Sequence, residues 1–215
     1  MRLLLIRHGE TDHNAERLAL GRRDVPLNER GRLQARALAQ ALRARHQIDA
    51  IYASPLQRAL ATAQPLADAI GLEVRVEAGL IEMDIGEVEG LALDEVRSRY
   101  PDFMRLWFSD QLADAVMPGG ESLQQVQERT WAAVESIRER HGDGTVAAVT
   151  HNFVILTLLC RVLDIPLANF RRLRHDLAAV SVVELTPERQ TVVALNDTCH
   201  LAGEGLPGGP SWGRG

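Results

Sequence analysis

Apolar residues in this chain fall into short continuous runs and longer stretches with helical spacing. Leu3 to Ile6 is a continuous run, the pattern of a strand covered on both faces. His8 to Asn28 is polar, is interrupted by Gly9, Gly21 and Pro26, and reads mostly as loop. Asn28 suits a helix N-cap, after which Leu33, Ala37, Leu38, Ala41 and Leu42 recur on one helical face. Ile48 to Ala53 is a second strand candidate. Pro55, at a first helical position, opens another helix, which Pro65 is expected to break, kink or divide. Glu73 to Val76 is a third, weaker strand.

Beyond Met83 the pattern turns irregular as far as Gly120, with short helical pieces at Asp94 to Arg99 and Pro101 to Phe108. This stretch, about residues 83–120, reads as a helical insertion that covers something. A helix near Leu123 to Arg140, a strand at Thr145 to Thr150 and a strongly apolar helix at Phe153 to Leu163 follow. Val180 to Leu185 and Thr191 to Leu195 suit a closing hairpin through Thr186-Pro187-Glu188-Arg189. Strands alternating with amphipathic helices imply an α/β fold: a three-layer sandwich whose mostly parallel central sheet is flanked by helices. One domain over residues 1–202 is expected, and Gly203 to Gly215, rich in glycine and proline, is expected to be a disordered tail.

Composition narrows the chemistry. The 215 residues carry a net charge of -5, so a general attraction to nucleic acid is not expected. All 24 basic residues are arginine, which excludes a P-loop lysine, a Schiff-base lysine and a kinase-type strand lysine. Arginine instead grips phosphate or carboxylate in a bidentate fork. Cys160 and Cys199 form no Cys-x-x-Cys pair, so neither a disulfide framework nor a zinc knuckle is expected. Four apolar residues at Leu3 to Ile6 are too few for a secretory core or a membrane span, and a cytoplasmic location is the expectation.

In open α/β sheets ligands bind beyond the carboxyl ends of the strands, and three candidate strands run into suggestive residues there. The first ends in Arg7-His8-Gly9-Glu10-Thr11. The second ends in Ala53-Ser54-Pro55, with Arg58 one turn into the next helix, and the Thr145 to Thr150 strand ends in His151-Asn152. His13, His46, His141, His175 and His200 have no such placement and are read as structural or exposed.

The Arg-His-Gly-Glu-Thr run resembles the signature of the histidine phosphatase superfamily, in its phosphoglycerate-mutase-like branch. Asn14, Gly21 and Pro26-Leu27-Asn28-Glu29-Arg30-Gly31 fit that family's first loop and helix, and Ser54 to Ala59 with Thr62-Ala63 fits its second arginine motif. Glu82 to Gly90, Pro118 to Ser122 and Thr150-His151 fit the remainder, to about His200. The resemblance implies in-line attack on phosphorus by His8, giving a phosphohistidine. It implies Arg7, Arg58 and His151 on the equatorial oxygens, Glu82 as general acid and then base, and Asn14 and Gly21 at the substrate. Asn152, at a helix N-terminus, offers a backbone N–H to phosphate. No metal or other cofactor is expected. Leu20 and Asn152 stand where many relatives carry a polar residue and a glycine, which bears on the substrate more than on the chemistry.

Mutases and phosphatases of this kind share the catalytic set. Mutases add basic residues after the acid and an adjacent arginine pair in the covering insertion. Here Met83-Asp84-Ile85 follows the acid, and the insertion offers only the separated Arg97, Arg99 and Arg105. A phosphatase acting on a small phosphorylated metabolite is therefore the expectation, with a phosphoglycerate mutase as alternative. A non-catalytic phospholigand-binding module is the remote reading, opposed by the intact catalytic set. Phe103, Leu106, Trp107 and Phe108 either form an apolar wall for bulky leaving groups or are a plain amphipathic helix. A homodimer is expected only as the base rate for soluble enzymes.

Overall fold

The computed structural model describes residues 1–112 and 115–204. Six strands make one sheet: β1 (Arg2–Arg7), β2 (Ala50–Ala53), β3 (Val74–Val76), β4 (Thr145–Thr150), β5 (Val180–Leu185) and β6 (Gln190–Asp197). Their spatial order is β3-β2-β4-β1-β5-β6. The four strands from β3 to β1 run parallel, and β5 and β6 add an antiparallel edge. The closing hairpin turns where expected, with the Thr186 N–H donating to the Arg189 carbonyl at 2.9 Å.

Side-chain alternation in β1 sorts the core into two layers. Leu4 and Ile6 pack with Leu38 and Leu42 of α2 (Glu29–Arg45) and with Ala63 and Leu66 of α3 (Gln57–Ile70). Leu3 and Leu5 pack on the opposite face with Val134 and Ile137 of α6 (Leu123–His141) and Ile155 and Leu159 of α7 (Asn152–Val162). Burial of β1 on both faces explains its unbroken apolar run. The covering region carries α4 (Leu93–Arg99) and α5 (Pro101–Trp107), whose Val96, Met104 and Trp107 join the second layer.

Four expectations need correction. The loop after β1 contains a one-turn helix, α1 (Asp12–Ala15), closed by a capping box between Thr11 and Asn14. Helix α3 starts at Gln57, not at Pro55, because the Asp24 carboxylate accepts from the Gln57 backbone N–H at 2.8 Å and sets the first turn there. Nor does Pro65 divide α3, which runs unbroken through it. Proline removes a single backbone donor, while Ala63, Leu66 and Ala67 around it stay buried against the sheet. Finally, Gly203 belongs to a short 3-10 turn (Cys199–Glu204), whereas the rest of the expected tail lies outside the described residues. Among the described residues no helix is long and apolar enough to cross a membrane.

Two glycines let the loop after β1 press on α2. A Cβ at Gly31 would stand 2.1 Å from the Glu10 carbonyl oxygen, and one at Gly9 would stand 2.6 Å from the Gly31 oxygen. Backbone cannot yield as a flexible side chain does. Gly31→Ala is therefore expected to cost about 1–3 kcal/mol of stability, the usual range for overpacking. Urea denaturation measures this, and an unchanged midpoint would contradict the close approach.

Candidate active site

Strand register assembles the site. Arg7 pairs with Thr150 and Ala53 with Val149, so the residues that follow, His8, Ser54 and His151, emerge together at the carboxyl edge. The rings of His8 and His151 lie 5.2 Å apart, centroid to centroid. Arg7, His8, Arg58, Glu82 and His151 come from four separate segments, and all are buried.

A hydrogen bond defines the state of the His8 ring. His8 Nδ1 lies 2.7 Å from the Gly9 carbonyl oxygen, which can only accept. The proton therefore sits on Nδ1, and Nε2 keeps a lone pair. Burial lowers the His8 pKa well below the usual histidine value, with Arg58 and Arg7 adding to the effect. The ring is neutral at neutral pH, as a nucleophile must be. His151 Nε2 is 2.7 Å from Ser54 Oγ, which already accepts from the Leu56 N–H at 3.3 Å. This contact leaves Nδ1 as the ring's second nitrogen. That nitrogen is buried without a protein partner, as are Nε of Arg7 and Nε of Arg58. Buried polar atoms of this kind call for an explanation, and an anion beside His8 supplies one for the two arginines.

Backbone carbonyls, rather than acids, hold the two arginines. Arg7 Nη1 donates to the His175 carbonyl at 2.6 Å. Arg58 donates from Nη2 to the Gly21 carbonyl at 2.6 Å and from Nη1 to the Arg23 carbonyl at 2.8 Å. The Glu89 carboxylate braces that loop by accepting from the N–H groups of Gly21 and Arg23. Thr62 ties the nucleophile's loop to α3, accepting from the Gly9 N–H at 3.0 Å and donating to the Arg58 carbonyl at 2.7 Å.

Glu82 lies after a 3-10 turn (Ala78–Leu80) that Arg129 grips at the carbonyls of Gly79, Ile81 and Glu82. Glu121, paired with Arg129 and Arg22, accepts from the Asp84 N–H on the same loop. Burial raises the Glu82 pKa, opposed by the Met83 N–H, by Arg58 and Arg7, and by the Phe153 N–H. Its carboxyl therefore holds a proton to higher pH than an ordinary glutamate.

Above these residues opens a cavity of about 600 Å³, with Arg7, His8 and Glu82 in its lining. Of the expected substrate-binding residues, Asn14 and Asn152 line it, and so does Leu20. Gly21 is not in the lining; its carbonyl holds Arg58. Arg58 and His151 are wholly buried and also absent from the lining. Phe103, Trp107 and Phe108 do face the cavity, so the covering segment forms an apolar wall. Arg97, Arg99 and Arg105 instead pair with Asp94, Glu95 and Asp102 on exposed surfaces.

The model of a family described as the histidine phosphatase superfamily (branch 1) matches residues 3–198. The chain belongs to that superfamily. Phosphoserine phosphatase 1 of Hydrogenobacter thermophilus is 37% identical, over 94% of this chain and 94% of its own length. A bifunctional protein of Mycobacterium tuberculosis is 38% identical over 93% of this chain, which spans 55% of that longer relative. The solved structure of Bacillus stearothermophilus YhfR superposes with a TM-score of 0.86 at 34% identity, covering 93% of this chain and 98% of that one.

Sequence reading passed over one histidine of this histidine phosphatase. His175 is buried and lines the cavity, and its carbonyl fixes Arg7. It sits before the antiparallel strand β5 rather than after a parallel strand, so the strand-end rule could not find it. Burial and Arg7 lower its pKa to about 3.

His8, His151 and His175 all have lowered pKa values. Below about pH 6.5 the unfolded chain binds protons that the folded protein refuses, so stability falls as pH falls. Each histidine contributes about 1.4 kcal/mol per pH unit, or roughly 4 for the three together. Glu82 acts oppositely, because its raised pKa lets the folded state take a proton first. A net loss of roughly 3 kcal/mol per unit is expected over the upper part of the fall from pH 6 to 4. Denaturant midpoints across that range provide the check, and a flat profile would contradict three neutral buried imidazoles.

Proposed function

We propose that this histidine phosphatase hydrolyses small phosphate monoesters by transferring the phosphoryl group to Nε2 of His8. The observation that carries this reading is the Gly9 carbonyl on Nδ1, which leaves the Nε2 lone pair available beside two buried guanidinium groups. In the first step Nε2 attacks phosphorus as the ester P–O bond breaks. Glu82, whose pKa burial raises, gives its proton to the departing oxygen. In the second step the Glu82 carboxylate takes a proton from water, whose oxygen attacks phosphorus and breaks the P–N bond, restoring neutral His8. Arg7 and Arg58 supply fixed positive charge for the phosphoryl oxygens, and His151, whose Nδ1 has no protein partner, stands beside them. None of these groups has to reorganise, since backbone carbonyls and Ser54 already set their directions.

The name of the Hydrogenobacter relative makes O-phosphoserine a first substrate to test. The cavity argues for a larger, partly apolar leaving group, because Phe103, Trp107, Phe108 and Leu20 line it. The pairing of Arg97, Arg99 and Arg105 with neighbouring acids leaves the covering segment without a cation for a phosphoglycerate carboxylate, which favours hydrolysis over mutase action.

Phosphate release from O-phosphoserine and from a panel of alkyl and aryl phosphates tests the activity. His8→Ala is expected to lose at least about a thousandfold in kcat/KM, since the covalent step has no substitute. Equal rates for the two proteins would sink the assignment. Glu82→Gln is expected to lose about 10²–10⁴-fold on alkyl phosphates, and far less on p-nitrophenyl phosphate, whose leaving group needs no proton. For wild type on alkyl phosphates, kcat/KM should fall as pH rises through the raised Glu82 pKa, and this limb should vanish in Glu82→Gln. Acid-labile, alkali-stable label on the quenched protein would report the phosphohistidine.

A further inference from the structure

Arg171 stands on the 3-10 turn (Leu167–Arg172) that follows α7, in the lining of the cavity. Its guanidinium carbon lies 4.5 Å from the Phe108 ring centroid, 4.6 Å from that of Phe170 and 5.1 Å from that of Trp107. The rings come from two segments, the end of α5 and the turn itself, so the cation sits where the covering segment meets the rest of the wall. Aromatic rings engage a guanidinium through its faces, whereas carboxylate and phosphate bind along its N–H edge. Stacking therefore orients Arg171 without consuming its donors.

Among the described residues no acid lies within ion-pair distance of Arg171, while Arg174, also in the lining, is paired with Asp176 at 2.8 Å. Arg7, the third arginine in the lining, is occupied beside His8. Burial lowers the Arg171 pKa only to about 10, so it is a full cation at neutral pH. A methionine or leucine would fill the same aromatic wall without the cost of partly desolvating a charge. In a chain of net charge -5, a wall cation with no acid at ion-pair distance among the described residues is a selective feature.

We propose that Arg171 determines specificity by binding an anionic group at the far end of the leaving group. The preferred substrate is then a phosphate monoester whose leaving group has an apolar body ending in a carboxylate or a second phosphate-like group. The inference rests on the phosphatase reading above and extends it to substrate class.

Three aryl phosphates with phenols of similar acidity provide the test: 4-ethylphenyl phosphate and its analogues ending in a carboxylate or a phosphonate. Wild type is expected to favour at least one anionic analogue by about tenfold or more in kcat/KM, the usual scale for a charged hydrogen bond. The analogue that gains identifies which anion is taken. Arg171→Met should abolish the preference while leaving the neutral ester within about twofold, with Arg171→Lys restoring part of it. Arg171→Gln, which keeps a planar head between the rings, replaces the methionine variant if that one loses its native denaturation midpoint. Absence of any preference in wild type would overturn the proposal, as would equal slowing of all three esters by Arg171→Met, the mark of a purely structural staple. Failure of wild type to release phosphate from any of the three, and from the wider panel, would instead remove the phosphatase reading itself.

Discussion

Two guanidinium groups, those of Arg7 and Arg58, are buried beside two imidazoles, and among the described residues neither forms an ion pair. Such charges are costly to desolvate, and the protein offsets that cost with backbone carbonyls rather than carboxylates. The choice has a chemical consequence. A carboxylate salt bridge would cancel the positive potential that His8 and a phosphoryl group both experience. A carbonyl satisfies the N–H and leaves the full charge in place. Uncancelled positive charge adds to burial in keeping His8 neutral and makes the floor attract anions, while at Glu82 it opposes the burial that raises the carboxyl's pKa.

Carbonyls can hold arginines only if their own loops are held. Glu89 braces the loop of Gly21 and Arg23, and Glu121 with Arg129 braces the loop of Glu82. These acids carry the negative charge that the site excludes, one layer further out. The outer arginines Arg22 and Arg129 are accordingly paired with acids, whereas the inner ones are not. Tight backbone approaches such as Gly9 against Gly31 complete the bracing, since any side chain there would push the nucleophile's loop off α2.

Above this rigid floor the cavity is of a different character. Its wall is built by α5 and the turn after α7, which meet through aromatic rings, and by the loop after β1, which backbone hydrogen bonds between Ala19 and Gly90 and Leu91 tie to the covering segment. Chemistry and substrate choice are thereby separated: the floor follows from the sheet register, and the wall from segments that only pack on it. Phe153 joins the two, its N–H reaching Glu82 Oε2 at 3.4 Å while its ring packs against Trp107.

Sequence by itself determined the parts that depend on local pattern. The apolar run of β1, the spacing of α2 and the strand ends at His8, Ser54 and His151 all follow from periodicity and from where ligands bind on a parallel sheet. Glu82 was legible only through the resemblance, because a loop carboxylate has no periodic signal. Tertiary structure alone decided the rest, because each of these contacts joins residues far apart in the chain. It set the start of α3 through Asp24 and carried that helix unbroken past Pro65. It also revealed His175 as the support of Arg7, gave the Gly21 carbonyl to Arg58, and stacked Arg171 on rings from another segment. A residue's own neighbours encode its backbone preference, but its charge state and hydrogen-bond partners belong to whatever folding brings beside it.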